Sequence, residues 1–242
     1  MTYEEGTVMN FRSLVSTTAW HDLIERGRRR IYDSKKVILA QGDSPEDVFV
    51  LVDGLVKVAQ SDEHGNNLTL MLRGPGEVLG EMGVLLGRPR SVTVTAARRC
   101  TTAALTAHTF RSYVDEHGLR NAAYGLAVER FTACERLQSD LRHLPPTGRI
   151  ARVVTALADE VGRPQGQGYL LVDLAMDRTE LAGMASMSRS SALAALGRLQ
   201  SVGVLRLGRQ RLTIIDPARL RAVARGEQFP EYLGVEGGTP SM

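Results

Sequence analysis

Gly80-Glu81-Met82-Gly83-Val84-Leu85-Leu86-Gly87-Arg88-Pro89-Arg90-Ser91-Val92-Thr93-Val94-Thr95-Ala96 is the stretch from which the fold is read. It sets a carboxylate, Glu81, ahead of a guanidinium, Arg90, in a glycine-punctuated turn between apolar strands. Gly80 and Gly83 let the backbone approach a ligand and let a short helical turn begin, whose first N–H groups favour an anion. Arg90 can give two parallel hydrogen bonds to phosphate oxygens, and Ser91 adds a hydroxyl donor. Glu81 can accept from a ribose hydroxyl, as acidic residues do in dinucleotide sites. Taken alone, a Glu and an Arg at this spacing read more simply as a surface ion pair, Glu81 with Arg90 or Arg88, worth about 0–1 kcal/mol.

Outward from this stretch the chain alternates short apolar runs with turn residues. Val37-Ile38-Leu39-Ala40 precedes Gly42-Asp43, Val48-Phe49-Val50-Leu51-Val52 precedes Asp53-Gly54, and Leu55-Val56-Lys57-Val58 precedes Asp62-Glu63-His64-Gly65-Asn66. Leu68-Thr69-Leu70-Met71-Leu72, Gly74-Pro75-Gly76 and Val92-Thr93-Val94 continue the pattern. From Arg30 to Leu105 this spacing predicts an all-β barrel or sandwich. Residues 11–28 read as short helical segments with Trp20, Leu23 and Ile24 on one face.

From about Ala107 the period turns helical, and Asn121 to Arg142 reads as one long helix. Tyr124, Ala127, Phe131, Cys134 and Leu141 fall on a heptad-like seam that Gln138 interrupts. Two readings stand: a helix packed on its own β-domain, or a helix that pairs with a second copy. Cys134 reads as a buried seam residue ahead of a ligand contact or a redox switch. Leu144-Pro145-Pro146-Thr147 ends the helix and marks a boundary, since Pro removes a backbone donor and restricts its predecessor. Thr147 is expected to cap a helix from Gly148 to about Glu160. Gly162 to Gly168 reads as a loop, Tyr169 to Leu174 as a strand, and Gly237 to Met242 as a frayed tail.

Charge is concentrated downstream. The 242-residue chain has a net charge of only +3. Yet Arg189, Arg198, Arg206, Arg209, Arg211, Arg219 and Arg221 lie between Arg178 and Arg225, a span whose only acids are Glu180 and Asp216. Such a basic segment is what a DNA-contacting end looks like. Within it, Arg178 to Leu199 reads as two short helices around a tight turn. Leu181, Met184 and Ala185 form the apolar face of the first; Leu193, Leu196 and Leu199 form that of the second. Ser188 caps the second, placing Arg189, Ser190 and Ser191 at its exposed start, where a recognition helix meets bases and phosphates. Gly203 to Ile214 reads as a hairpin with a basic tip.

Apolar residues at 43% and charged residues at 24% describe an ordinary soluble globular chain, with room for one large or two ordinary domains. No apolar run approaches a membrane span, and Met1-Thr2-Tyr3-Glu4-Glu5 lacks signal-peptide character, so cytoplasmic residence is expected. Cys100 and Cys134 have no metal-ligand spacing, the five histidines are dispersed, and neither GxSxG nor HExxH occurs. No enzymatic chemistry, metal or cofactor is expected.

Gly80-Glu81 with Pro89-Arg90 and Val92-Thr93-Val94 resembles the phosphate-binding cassette of cyclic-nucleotide-binding domains. It is similar to the short form of protein kinase A regulatory subunits; bacterial cyclic-AMP receptor proteins have one more residue between the Glu and the Arg. Val52 to Val58 and Gly74-Pro75-Gly76-Glu77 are similar to the same β-roll. Downstream, the Arg149-Ile150-Ala151 helix, Ser188-Arg189 and the hairpin resemble the winged helix-turn-helix of the cyclic-AMP receptor and FNR (CRP/FNR) superfamily.

This resemblance implies an α+β chain. A jelly-roll-like cyclic-nucleotide-binding β-roll spans 1–118, a long dimerisation helix 119–144, a winged helix-turn-helix 145–225 and a tail 226–242. Glu81 then holds ribose and Arg90 phosphate, with Gly80, Met82 and Ser91 completing the cassette. The family's adenine-reading Thr-Ser pair falls on Cys134-Glu135, and an Arg one turn earlier on Arg130, placed to brace Glu81 or the base. Arg189 matches the base-reading Arg, Ser190 and Ala194 stand where the receptor protein has Glu and Arg, and Ser186 replaces a turn Gly. Thr147, Arg178, Thr179, Ser188, Ser191, Arg209 and Arg211 complete the DNA-facing set.

The implied function is a dimeric, sequence-specific transcription regulator under a cyclic nucleotide. Cyclic AMP comes first, with cyclic GMP or another nucleotide open. The alternatives are the same regulator with a different effector or none, and a sensor acting only through protein contacts, against which the winged helix weighs. Implied partners are double-stranded DNA, a second copy through helix 119–144 and RNA polymerase, with no membrane.

Overall fold

The computed structural model describes residues 9–65 and 67–227. The N-terminal pentapeptide and the predicted frayed tail lie outside the described residues. Turn residues divide the first half into eight strands: β1 (Arg28–Tyr32), β2 (Val37–Leu39), β3 (Asp47–Asp53), β4 (Val56–Ser61), β5 (Asn67–Arg73), β6 (Val78–Leu79), β7 (Thr93–Ala96) and β8 (Cys100–Thr106). They pair antiparallel into two sheets, ordered β1-β8-β3-β6 and β2-β7-β4-β5. Phe49 and Leu51 of one sheet bury against Val56 and Val94 of the other, the two-layer solution expected of alternating strands.

Two helices close the outer face of the first sheet. α1 (Thr17–Glu25) is capped by Ser16 and α3 (Ala107–Glu116) by Thr106. Trp20, Leu23, Phe110 and Tyr113 pack with Val48 and Val50. Between β6 and β7 lies α2 (Glu81–Leu86), which opens on Gly80 in the left-handed region at φ +85°. Arg111 of α3 donates to the Val84 carbonyl at 3.1 and 2.8 Å, fixing this short helix to the roll.

α4 (Arg120–His143) runs out of the roll with two buried ends. Ala123 and Leu126 join the N-terminal core, whereas Leu137 and Leu141 join the C-terminal one. The predicted seam therefore stops short of Leu141, which the chain's own second half covers. Val128 and Phe131, 62% and 65% exposed, are its outward apolar residues.

The second half begins at α5 (Pro146–Val161), whose N-cap position is Pro145 and carries no side-chain cap. Thr147 does not cap: Pro146, pre-set at helical φ and lacking a donor to satisfy, takes the first position and draws Thr147 into the first turn. The segment expected as a loop holds a short edge strand, β9 (Arg163–Gln165), where Pro164 is tolerated because an edge needs no donor on its outer side. β10 (Tyr169–Asp173), β11 (Leu205–Gly208) and β12 (Arg211–Ile214) complete a sheet ordered β11-β12-β10-β9.

α6 (Arg178–Met184) carries an Asp177 capping box with Glu180, and α7 (Arg189–Ser201) is capped by Ser188. Between them Ser186 adopts φ +51° in the tight turn. Starting α7 at Arg189 makes Ala192, Ala195, Leu196 and Leu199 the buried i, i+3, i+4, i+7 stripe. Leu193, expected inside, lies one position off that stripe and is 41% exposed. α8 (Pro217–Ala224) packs Leu220 and Val223 into the same core. That core crosses the expected boundary, because Leu55, Met71, Leu72 and Ala97 of the β-roll belong to it. Among the described residues no helix is long and apolar enough to cross a membrane.

Candidate functional site

The cassette forms one wall of a cavity of about 380 Å³ between the β-roll and α4. Gly80, Glu81, Met82, Arg90 and Ser91 line it from the roll; Ala127, Arg130, Phe131 and Cys134 line it from α4. Val58, Leu70 and Val94 supply an apolar floor. This combination of an apolar body with a few convergent polar groups is the usual form of a small-ligand site. Glu135 does not join it: it is exposed on α4, one position round from Cys134.

Arg90 is only 6% exposed. Its Nη1 donates to the Gly80 carbonyl at 2.6 Å and its Nη2 to the Asp47 carbonyl. It forms no ion pair among the described residues, and its buried Nε has no hydrogen-bond partner. Burial pulls its guanidinium below the ordinary value, against the opposing pull of Asp47 and Glu81. It stays charged, with donors to spare. The backbone makes this placement possible, since a Cβ on Gly80 would stand 2.6 Å from Arg90 Nη1.

Glu81 begins α2, where a carboxylate also faces the helix's free N–H groups. Arg130 reaches it from α4 with Nη1 to Oε1 at 2.8 Å, and pairs through Nη2 with Glu77. The bracing of Glu81 by Arg130 is thus realised, and Glu77 is its second anchor. Burial lifts the Glu77 carboxyl above its ordinary range, although Arg130 and Arg73 act against the rise. Glu77 and Arg73 also line the cavity. The sequence gives neither a role: Arg73 is a charge at the end of an apolar strand, and Glu77 is only the residue after the Gly74-Pro75-Gly76 turn.

A second cleft, of about 300 Å³, lies where α6, α7 and the β11–β12 wing converge. It gathers Arg178, Thr179, Arg189 and Arg209 from segments distant in sequence. Arg189, Ser190, Ser191 and Ala194 are exposed on the first turns of α7, and Arg211 on the wing. Ser188 spends its hydroxyl locally, accepting from Ser191 N at 3.2 Å. Arg178 acts as a strut, with Nη2 on the Gly208 carbonyl at 2.9 Å and burial lowering its guanidinium. Thr147 is half-buried in α5 and is not part of the cleft.

Residues 29–117 match the cyclic nucleotide-binding domain family and residues 148–223 the Crp-like helix-turn-helix domain family. The chain belongs to the CRP/FNR superfamily of transcription regulators. It is 29% identical over 199 residues to the cyclic AMP receptor protein of Thermus thermophilus, covering 82% of this chain and 89% of that one. With a CRP-like cAMP-activated global transcriptional regulator of Mycobacterium tuberculosis it shares 24% over 189 residues, covering 78% and 84%. In fold it is similar to the c-di-GMP responsive global regulator CLP of Xanthomonas campestris, with a TM-score of 0.61 at 24% identity, covering 82% of this chain and 99% of that one. These relatives are regulators, not enzymes.

The left-handed cap at Gly80 generates a stability prediction. Gly80→Ala should lower unfolding free energy in urea by about 1–3 kcal/mol, from backbone strain and displacement of Arg90. An unchanged midpoint and slope would contradict the close approach.

Proposed function

We propose that the chain is a dimeric, sequence-specific DNA-binding regulator whose DNA affinity is set by a cyclic nucleotide held between the β-roll and α4. The observation that carries this reading is Arg90, a buried guanidinium beside Glu81 with no ion pair among the described residues. A buried unpaired charge costs several kcal/mol, and an anionic ligand offsets that cost on binding. The spare donors of Arg90 suit a phosphate, Glu81 retains lone pairs for a ribose hydroxyl, and the apolar wall suits a base. A 3′,5′-cyclic nucleotide presents one free ribose hydroxyl and one phosphate together.

Cyclic AMP is the leading ligand, by likeness to relatives named for it. A second reading, the same regulator under another effector such as cyclic GMP, is favoured by the α4 wall. There Ala127, Phe131 and Cys134 face the cavity, and Cys134 stands where one of the receptor protein's adenine-contacting hydroxyls falls. We assign residues 1–118 to effector binding, 119–144 to dimerisation, 145–225 to DNA and 226–242 to a tail. The exposed Val128 and Phe131 support a two-fold contact along α4. RNA polymerase is the expected further partner and the cytoplasm the expected location. The ligand acts by binding one arrangement of the two halves better than the other.

Two measurements test this. In calorimetric titration with cyclic AMP, Arg90→Ala should weaken binding by at least about tenfold, or 1.4 kcal/mol; equal binding by the variant removes the clamp. In fluorescence anisotropy with a genomic DNA pool, binding should be salt-sensitive, and Arg189→Ala should lose about 1–3 kcal/mol of base discrimination. Full selectivity in that variant would displace α7 from the recognition role.

A further inference from the structure

The two halves are joined by charges as well as by a helix. Glu160, in the last turn of α5, pairs with Arg73 at the end of β5; their side chains are 13% and 11% exposed. Arg73 Nε lies 3.8 Å from Glu77 Oε1. The other Glu77 oxygen pairs with Arg130 Nη2, and Arg130 Nη1 reaches Glu81 at 2.8 Å. Glu160, Arg73, Glu77, Arg130 and Glu81 therefore form an unbroken chain of alternating charge, from the DNA-binding half to the cassette.

Exposed ion pairs contribute little, but this one is different in kind. Glu77 is 4% exposed, so any partner it loses leaves a buried charge uncompensated. Three carboxylates share two guanidiniums, which makes each pairing depend on its neighbours. Burial opposes the charge on Arg73, and the carboxylates of Glu160 and Glu77 outweigh it.

We propose that Glu160 is a positioning residue for the effector cavity: by holding Arg73, it leaves Glu77 to anchor Arg130 against Glu81. The inference rests on the cavity being the effector site. Without the Glu160 charge, Arg73 has Glu77 as its nearest remaining carboxylate and closes on it, in competition with Arg130. Arg130 then loses one of its two anchors, and the α4 wall of the cavity moves with it. The Glu160–Arg73 pair and the shape of the cavity are thereby linked, so a ligand that stabilises the cavity stabilises that pair to the same degree.

A second cross-half pair serves as the control. Arg98 grips Asp173 with Nε and Nη2 at 3.0 and 2.7 Å and touches Gln210 on the wing, but no residue of this group lines the cavity. Arg98→Ala thus removes a contact between the halves without entering the charge chain.

The test uses full-length protein without ligand, comparing wild type, Glu160→Gln and Arg98→Ala by hydrogen exchange. Glu160→Gln, nearly isosteric, should speed exchange of amides in residues 77–83 by at least about fivefold, the low end of ordinary coupling. Arg98→Ala should leave that segment at the wild-type rate. In calorimetry Glu160→Gln should weaken cyclic AMP binding by a similar factor. Wild-type exchange at 77–83 in Glu160→Gln, or equal acceleration in both variants, overturns the proposal. If wild type binds no cyclic nucleotide, the effector assignment fails, and the exchange data alone decide the charge chain.

Discussion

The structure depends on one shared guanidinium. Arg130 leaves α4 and pairs with Glu81 of the cassette and with Glu77 of the preceding turn. Without that contact the β-roll would present a clamp open on one side, and α4 would have no polar reason to lie against it. With it, a helix that can carry a dimer contact also becomes a wall of the cavity. The same helix continues to Leu137 and Leu141, which belong to the DNA-binding core. Cavity wall, exposed apolar stripe and attachment of the DNA-binding half are thus consecutive stretches of one element.

Electrostatics decides how the cavity is set. Three arginines face it and are treated in different ways. Arg73 and Arg130 pair with carboxylates, whereas the buried Arg90 rests on two carbonyl oxygens. Backbone carbonyls satisfy donors but do not neutralise a charge. In the proposed function the imbalance directs an anion to Arg90 and leaves Arg130 as structure. The base side has no comparable demand: the α4 wall offers Ala127, Phe131 and Cys134. On the proposed reading, sugar and phosphate are read by charge, the base by shape and apolar contact.

The parts legible in the sequence were those fixed by local chemistry. The glycine start of α2, the carboxylate at its first position, the proline break and the Ser188 cap are each decided within a few residues. The parts that were not legible depend on what packs where. Leu141 fits a heptad seam but is claimed by the second half of the chain, and Leu193 looks apolar enough for the core yet falls off the buried stripe. Thr147 is a good cap by type and lost its place to Pro146. The pairing of Arg73 with Glu160 joins residues distant along the chain, and no pattern in a single sequence connects them.

The proposed clamp, reading sugar and phosphate strongly and the base weakly, has a direct consequence for ligand choice. Titration calorimetry of the wild-type protein with cyclic AMP and with cyclic GMP measures it. The expected result is that both bind, with dissociation constants within about tenfold of each other, or 1.4 kcal/mol. Failure of both to bind, or a preference beyond about a hundredfold, would contradict the assignment of Glu81 and Arg90 as the dominant contacts.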